Sequence, residues 1–348
     1  MLKTIRGSIG LTQEDLAERF HVDVTTVQGW ESGRRPLMAV SAGTFLRLRH
    51  TLLRLGASVR LLEQLDVAME ADRFVGYVLG ADGALDLDGH PLATWVITRP
   101  FTDLIGWVFT GTVPGIFASV PQASRRGPSA TGPRLASDER RHVVTHLRSV
   151  AEQAPDTVDG ALLRRQAHYV VGFDSSSATV EWLAVMQRHE QRRLRTGEWS
   201  PSWAVVRSGA HTLARTGDGE ALPQFIQVHI ETDETEIANL NYWAYWLGEL
   251  GDPQVSDTFM TETDLDAWRG TRLLDHLATK LHAGNPYVDV VAHTMWSLIN
   301  RKPGILDPDR SDTVSAAARR LLDEGEVSPQ SRRELEEVLY ALRIIHRR

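Results

Sequence analysis

The sequence predicts an all-α chain, a small helical head followed by a larger helical body. Three observations predict it. Alternating apolar–polar runs of the strand type are scarce along the 348 residues. Helix-opening residues (Ser137-Asp138-Glu139, Ser200-Pro201, Asp233-Glu234, Thr263-Asp264, Ser328-Pro329) are separated by helix-stopping ones (Gly217-Asp218-Gly219, Gly251-Asp252-Pro253, Gly284-Asn285-Pro286, Pro303-Gly304, Gly325). Residues 11–36 carry apolar side chains at helical spacing, broken by one tight turn.

In chain order, a short first helix begins almost at Met1, and a start upstream of Met1 stays open. Thr12 can cap the second helix, with Glu14 and Asp15 in its first turn, where negative charge suits the helix dipole. Leu16, Ala17 and Phe20 form its apolar stripe, and Ala17 is small where two helices cross closely. Val22 lies in the turn, Asp23 can cap a third helix, and Val27 and Trp30 continue the stripe along it. Gly33 ends that helix, followed by Arg34, Arg35 and Pro36. This is the pattern of a helix-turn-helix, whose second helix enters the major groove of DNA.

Leu11-Thr12-Gln13, Leu16-Ala17, Val27 and Trp30-Glu31-x-Gly33-Arg34 resemble the helix-turn-helix of the XRE family, the phage Cro and lambda repressor type. The resemblance is specific over this span and extends over about residues 1–70. It implies a lambda-repressor-like domain that binds double-stranded DNA. By position it gives Val24, Thr25, Gln28 and Gly29 to base edges, and Gln13, Arg34 and Arg35 to phosphates. Arg6 and Glu31 become a structural salt bridge. Chemistry agrees in part: Gln28 can pair bidentately with adenine, and Val24 or the Thr25 methyl can meet a thymine methyl. Solvated helix surface is the competing reading for Thr25, Gln28, Arg34 and Arg35, and a buried helix start is the one for Val24. The chain departs from the family at three points, the first being the short helix that begins almost at Met1. His21 stands in the turn where glycine is usual, and Gly29 sits inside the reading helix, at a cost of about 1 kcal/mol against alanine.

Beyond Pro36, residues 43–55 form an amphipathic helix ending at Gly56, and 58–80 form another with Val59, Leu62, Leu65 and Met69 on one stripe. Arg47 and Arg49 either reach phosphates or lie in solvent. Residues 104–124 carry no charge, but Pro114, Pro121 and three glycines break the run, so a buried helix from about Phe101 to Thr110 and then an apolar loop is expected rather than a membrane span. Residues 121–133, with Pro, Gly, Ser and the Arg125-Arg126 pair, read as a linker or long loop. About eight helices follow Ser137. Paired helices of that length suit an α-solenoid of the tetratricopeptide-like kind, although no exact repeat period is present. The expected domains are therefore 1–70 for DNA, 71–120 as connecting helices, 121–136 as linker, and 137–348 for dimerisation and sensing.

In the body, residues 240–247 spread aromatic side chains around one helix. The choice is plain core or a groove in which Tyr242, Tyr245 and Trp246 meet a peptide, a small molecule or a protein effector. Trp182, Trp199, Trp203, Trp268 and Trp296 read as core anchors. Phosphate-cradling glycine loops, a paired-histidine zinc motif and a nucleophile elbow are all missing from the sequence. His142 and His146 have metal-ligand spacing but lack a third ligand and read as solvated surface. Asp86-Leu87-Asp88-Gly89 is too short for a calcium loop and reads as a turn. No enzyme, cofactor or metal is expected. The chain has no cysteine, which excludes disulfides and fits a reducing cytoplasm. The net charge of −7 is unevenly spread: residues 1–54 hold eight basic and five acidic side chains, +3, which leaves −10 on the rest. A mildly basic head on an acidic body suits a DNA reader. The function expected is a dimeric, sequence-specific transcriptional regulator. The alternative is a helical-repeat interaction protein controlled by a peptide or protein partner, with the DNA-binding head as its output.

Overall fold

Short polar side chains cap three helices of the head. Thr12 accepts from the Asp15 N–H at 3.0 Å while Asp15 accepts from the Thr12 N–H at 2.9 Å, a reciprocal capping box. Asp23 accepts from the Thr25 N–H at 2.8 Å, and Ser41 from the Thr44 N–H at 3.2 Å. The computed structural model describes residues 1–81, 85–117, 120, 132–195, 197–324 and 327–345. Among these residues there are sixteen α-helices and no strand. The central part of the expected linker, 121–131, and with it the Arg125-Arg126 pair, lies outside the described residues, as does Gly325.

The chain divides into two compact units, Met1–Leu85 with Arg99–His146, and Asp86–Thr98 with Leu147–Arg348. This differs from a division at residue 70 and a linker. The first unit gathers more of the chain than the head, and a short segment between its two parts belongs to the second unit.

The first unit contains α1 (Leu2–Ser8), α2 (Gln13–Phe20), α3 (Val24–Ser32), α4 (Ala42–Arg54), α5 (Val59–Leu79) and α6 (Arg99–Thr110), and α7 (Ser137–Gln153) begins in it. α2 lies on α3, α1 on α3 and α5, and α5 on both α4 and α6. Ile5, Leu16, Val27 and Leu52 are fully buried at this crossing, and Ala17 and Trp30 are buried with them. The buried face of α5 runs through Leu61, Leu62, Leu65, Phe74 and Val78. Val59 is therefore exposed instead of opening the stripe, and Met69 is half-buried. Among the described residues the uncharged run takes in the rest of α6 and a 3-10 turn at Gly115–Phe117, and no described helix is long and apolar enough to cross a membrane. His142 is exposed, as expected of helix surface, whereas His146 is buried. His142 Nε2 lies 3.0 Å from the Val78 carbonyl, and His146 is buried edge-on against Tyr77. Among the described residues no His/Asp/Glu group could hold a metal ion.

The second unit takes in α8 (Val158–Val171), α9 (Ser177–Gln191), α10 (Pro201–Arg215), α11 (Ala221–His229), α12 (Asp233–Trp246), α13 (Thr271–Lys280), α14 (Val288–Arg301), α15 (Pro308–Glu324) and α16 (Pro329–Ile345). Counted from Ser137 there are ten α-helices among the described residues, against about eight expected. Ser200 caps α10 as expected, Thr232 caps α12, and Thr263-Asp264 opens only a short 3-10 turn at Leu265–Ala267. α13 starts later, after Gly270 at φ 87°. α10 packs on α8, α9 and α11, and α14 packs on α11, α12, α13 and α16. Trp203 and Trp268 anchor this core, whereas Trp182, Trp199 and Trp296 are half-buried. Asp86–Gly89 is a turn, with the Gly89 N–H donating to Asp86 Oδ1 at 2.9 Å.

Candidate nucleic-acid interface

The turn between α2 and α3 depends on His21. Its φ of 52° lies in the left-handed region, and among the described residues it is the only non-glycine there. Histidine enters that region at less cost than a β-branched or bulky apolar residue. The Val22 N–H then closes the end of α2 by donating to the Ala17 carbonyl at 3.0 Å. Asp23 follows as the cap of α3. Its carboxyl is held below the ordinary carboxylate range by hydrogen bonds from the Thr25 hydroxyl, first, and the Thr25 N–H. At the other end Gly33 adopts φ 77°, which turns the chain so that Arg34 and Arg35 follow directly.

One polar relay ties α3 to the rest of the head. Arg6 donates Nε to Glu31 Oε1 at 2.6 Å and Nη2 to Glu31 Oε2 at 3.1 Å, and Arg6 Nη1 donates to the Leu11 carbonyl at 2.5 Å. The two side chains are 12% and 3% exposed, so the pair is nearly dry. Losing one partner of such a pair costs about 3–5 kcal/mol, which fixes the position of α3 against α1. Gln13 Nε2 joins the same carboxylate at 2.6 Å, and Gln13 Oε1 accepts a long 3.5 Å bond from Gln28 Nε2. One N–H of the Gln13 amide is thus held by Glu31, and the second is left to donate elsewhere.

The outer face of α3 is placed residue by residue. Thr25 is exposed, and Val24 and Gln28 are half-buried. Gly29 is buried: a Cβ there would meet the Arg35 stem at 3.1 Å, so the missing side chain makes room for Arg35 to cross the helix. Arg35 then donates Nη1 to the Thr26 hydroxyl at 3.0 Å. Thr26 was not among the expected site residues, because this contact is made only once the chain has turned at Gly33. Arg34 is exposed, and among the described residues its side chain is held by a 3.3 Å bond from Nε to Ser32 Oγ. Of the two more distant arginines, Arg49 pairs with Asp66 at 3.0 Å, and Arg47 is exposed.

The aromatic residues of α12 lie in the second unit. Tyr242 and Tyr245 are buried, and Tyr245 Oη donates to the Val96 carbonyl at 2.5 Å. Trp243 is buried as well, and Trp246 is half-buried with its ring edge on Tyr169 at 5.6 Å.

The family model for the helix-turn-helix matches residues 2–40, the stretch from α1 to the turn after α3. No curated protein and no solved structure matches the chain. Two short helices crossing over Ala17, a tight turn at His21, and a capped α3 followed by two arginines agree with that match. Residues 2–40 are a helix-turn-helix domain, similar to those of the XRE family, and are the candidate DNA-binding head of this chain.

Proposed function

We propose that the chain is a cytoplasmic, sequence-specific transcriptional regulator that binds double-stranded DNA as a homodimer and carries a sensing function in its second unit. The observation that carries this reading is α3 itself. It is fixed from behind by Arg6 and Glu31, while Thr25 and Gln28 stay within reach of solvent and Arg34 and Arg35 stand at its end. A rigid helix with solvent-accessible polar side chains and flanking guanidinium groups suits base-edge reading with phosphate anchoring. The Gln28 amide, held only by a 3.5 Å bond, can turn to a base at little cost.

Dimerisation follows from information content. One short helix reads only a few base pairs, and two heads one helical turn apart, about 34–36 Å, read enough to address a genome. α16 supports a contact between copies in the second unit. It buries Leu335, Val338 and Leu342 on one side and exposes Tyr340 and Ile344, one helical turn apart, on another.

The test starts from a genomic-fragment pull-down with the full-length protein, followed by fluorescence anisotropy on the recovered site. Gln28→Ala is expected to relax preference at one base position and to cost about 1–3 kcal/mol. Arg34→Ala is expected to weaken all sequences alike and to lower the salt slope by about one unit. Unchanged affinity, specificity and salt slope in both variants would reject the assignment.

A further inference from the structure

We propose that the second unit binds a small planar organic anion on the face of α10 that carries Arg207, His211 and Arg215. These three side chains are four residues apart in sequence, so they line one side of the helix. Aromatic rings close around them from α8, α12 and the start of α14. Arg207 lies over the Tyr242 ring at 3.8 Å and within 5.7 Å of Trp243. Tyr242 is stacked with Trp246 at 6.2 Å and 9°, Trp246 meets Tyr169 at 5.6 Å, and Arg215 lies over both Tyr169 and Phe173 at 5.5 and 4.7 Å. His211 stacks on Tyr287 at 4.0 Å and 8°. The series runs from one arginine to the other through aromatic rings, with the imidazole between them on α10.

The charge balance of this cluster is uneven. Arg165, also within 5.9 Å of Tyr242, is paired with Asp257 at 2.7 Å, and both are buried. Arg207 is 3% exposed and has Asn239 Oδ1, at 2.9 Å, but no carboxylate partner among the described residues. Arg215 likewise forms no ion pair among the described residues, and its Nη2 is buried without a hydrogen-bond partner. Burial, opposed by Tyr242 and reinforced by Arg165, pushes Arg207 down to about 10, and burial with the two flanking arginines pushes His211 down to about 3. Guanidinium groups held away from water without counter-charge are costly, and an anion at the solvent-reachable end of the cluster would relieve that cost at Arg215. His211, Arg215, Tyr169, Phe173, Trp246 and Tyr287 are only half-buried, so the aromatic-lined face is reachable from solvent. Flat rings that already stack on one another offer a planar ligand the same contact, and guanidinium forks match carboxylate or phosphate geometry. The occupant is therefore an aromatic or heteroaromatic molecule with one acidic group.

This names a ligand class for the sensing role proposed above and rests on that role only for its effect on DNA. Binding is therefore measured first without DNA, so that loss of the regulator reading and loss of this one are separate results. Full-length protein is titrated by calorimetry with salicylate, indole-3-acetate and AMP, each beside its uncharged counterpart, salicylamide, indole-3-acetamide and adenosine. At least one acid is expected to bind about tenfold or more tightly than its counterpart, since charge-assisted bonds to guanidinium supply that margin. The two carboxylates against AMP decide which acidic group is taken. Arg215→Gln, at a half-exposed position, is expected to remove the preference for the acid. Arg301→Gln, which removes a cation paired with Asp233 and Glu236 at the opposite end of α12, is expected to keep it. Circular dichroism and melting temperature check that each variant is folded, and should Arg215→Gln unfold, Arg215→Met, which keeps an unbranched stem against Tyr169 and Phe173 without the charge, takes its place with the same expected loss of preference. No binding by any of the three acids at millimolar concentration, equal binding of acids and uncharged counterparts, or an acid preference that survives Arg215→Gln would each overturn the proposal.

Discussion

At the residue scale, Gly29 separates two costs that usually go together. Glycine inside a helix gives up about 1 kcal/mol against alanine. Here that cost accompanies the passage of Arg35 across α3, where a Cβ would sit 3.1 Å from the arginine stem. Arg35 is exposed and can shift by the few tenths of an ångström that alanine requires. Gly29→Ala is therefore expected to leave stability unchanged or to raise it by up to about 1 kcal/mol, while weakening DNA binding because the guanidinium leaves its seat on Thr26. Thermal unfolding and anisotropy on the same preparation check both halves. A variant that binds DNA as well as the parent would show that the position of Arg35 is immaterial. The caps at Thr12 and Asp23 and the left-handed turn at His21 were legible in the sequence, because each is settled by neighbours within about four residues. The Gln13–Glu31 tie and the Arg35 crossing were not, because they join residues whose approach is set by the packing of helices.

At the element scale, helices bounded by Pro, Gly or a capping hydroxyl could be read directly, and α4, α5, α6, α10 and α16 lie within one or two residues of where the sequence put them. α8 is the instructive omission. It buries Arg164, Arg165, Gln166 and His168 alongside its apolar residues, so charge patterning suggests a surface that does not exist. The charges of Arg164 and Arg165 are balanced by partners from elsewhere in the chain, Glu190 for Arg164 and Asp257 for Arg165, and no local pattern announces them. The aromatic run of α12 was legible as a feature but not in its division of labour. Tyr245 is held by a carbonyl some 149 residues away in sequence, and Tyr242 carries a guanidinium on its ring. α16 gives the test of the proposed dimer. Tyr340 is 62% and Ile344 43% exposed, both large for solvent-facing apolar groups. Tyr340→Glu together with Ile344→Glu is expected to halve the mass seen by light scattering and leave the melting temperature within about 1–2 °C, since neither side chain belongs to the core. A species that keeps twice the monomer mass would exclude this face as the interface.

At the scale of the whole molecule, the sequence showed a basic head and an acidic helical body but misjudged how the chain is shared between them. A boundary at residue 70 would cut α5 in its middle and remove Phe74 and Val78 from the core of the first unit. The reason is physical: the periodicity of one helix does not reveal which later helix will cover its far end. Residues 86–98 show the same thing from the other side. They have little regular structure, yet they belong to the second unit and are tied down there by buried polar groups. The Gln166 side chain accepts from the Ile97 N–H at 2.5 Å and donates to the carbonyls of Leu92 at 2.6 Å and Trp95 at 2.9 Å, and the Val96 N–H donates to the Gln254 carbonyl at 2.7 Å.

That stitching has a consequence for amide exchange with heavy water. Irregular backbone ordinarily trades its protons in moments, because a small local opening exposes them. The Ile97 proton is held by a fully buried amide on α8, so it can leave only when that helix loosens around it. In deuterium-uptake mass spectrometry, a peptide covering residues 92–98 is expected to take up label about as slowly as peptides from α8 or α10, despite having no helix of its own beyond a single turn. Gln166→Ala is expected to speed uptake in that peptide before any other in the second unit. Fast uptake in the unaltered protein would mean that the stitches open without the helix beneath them.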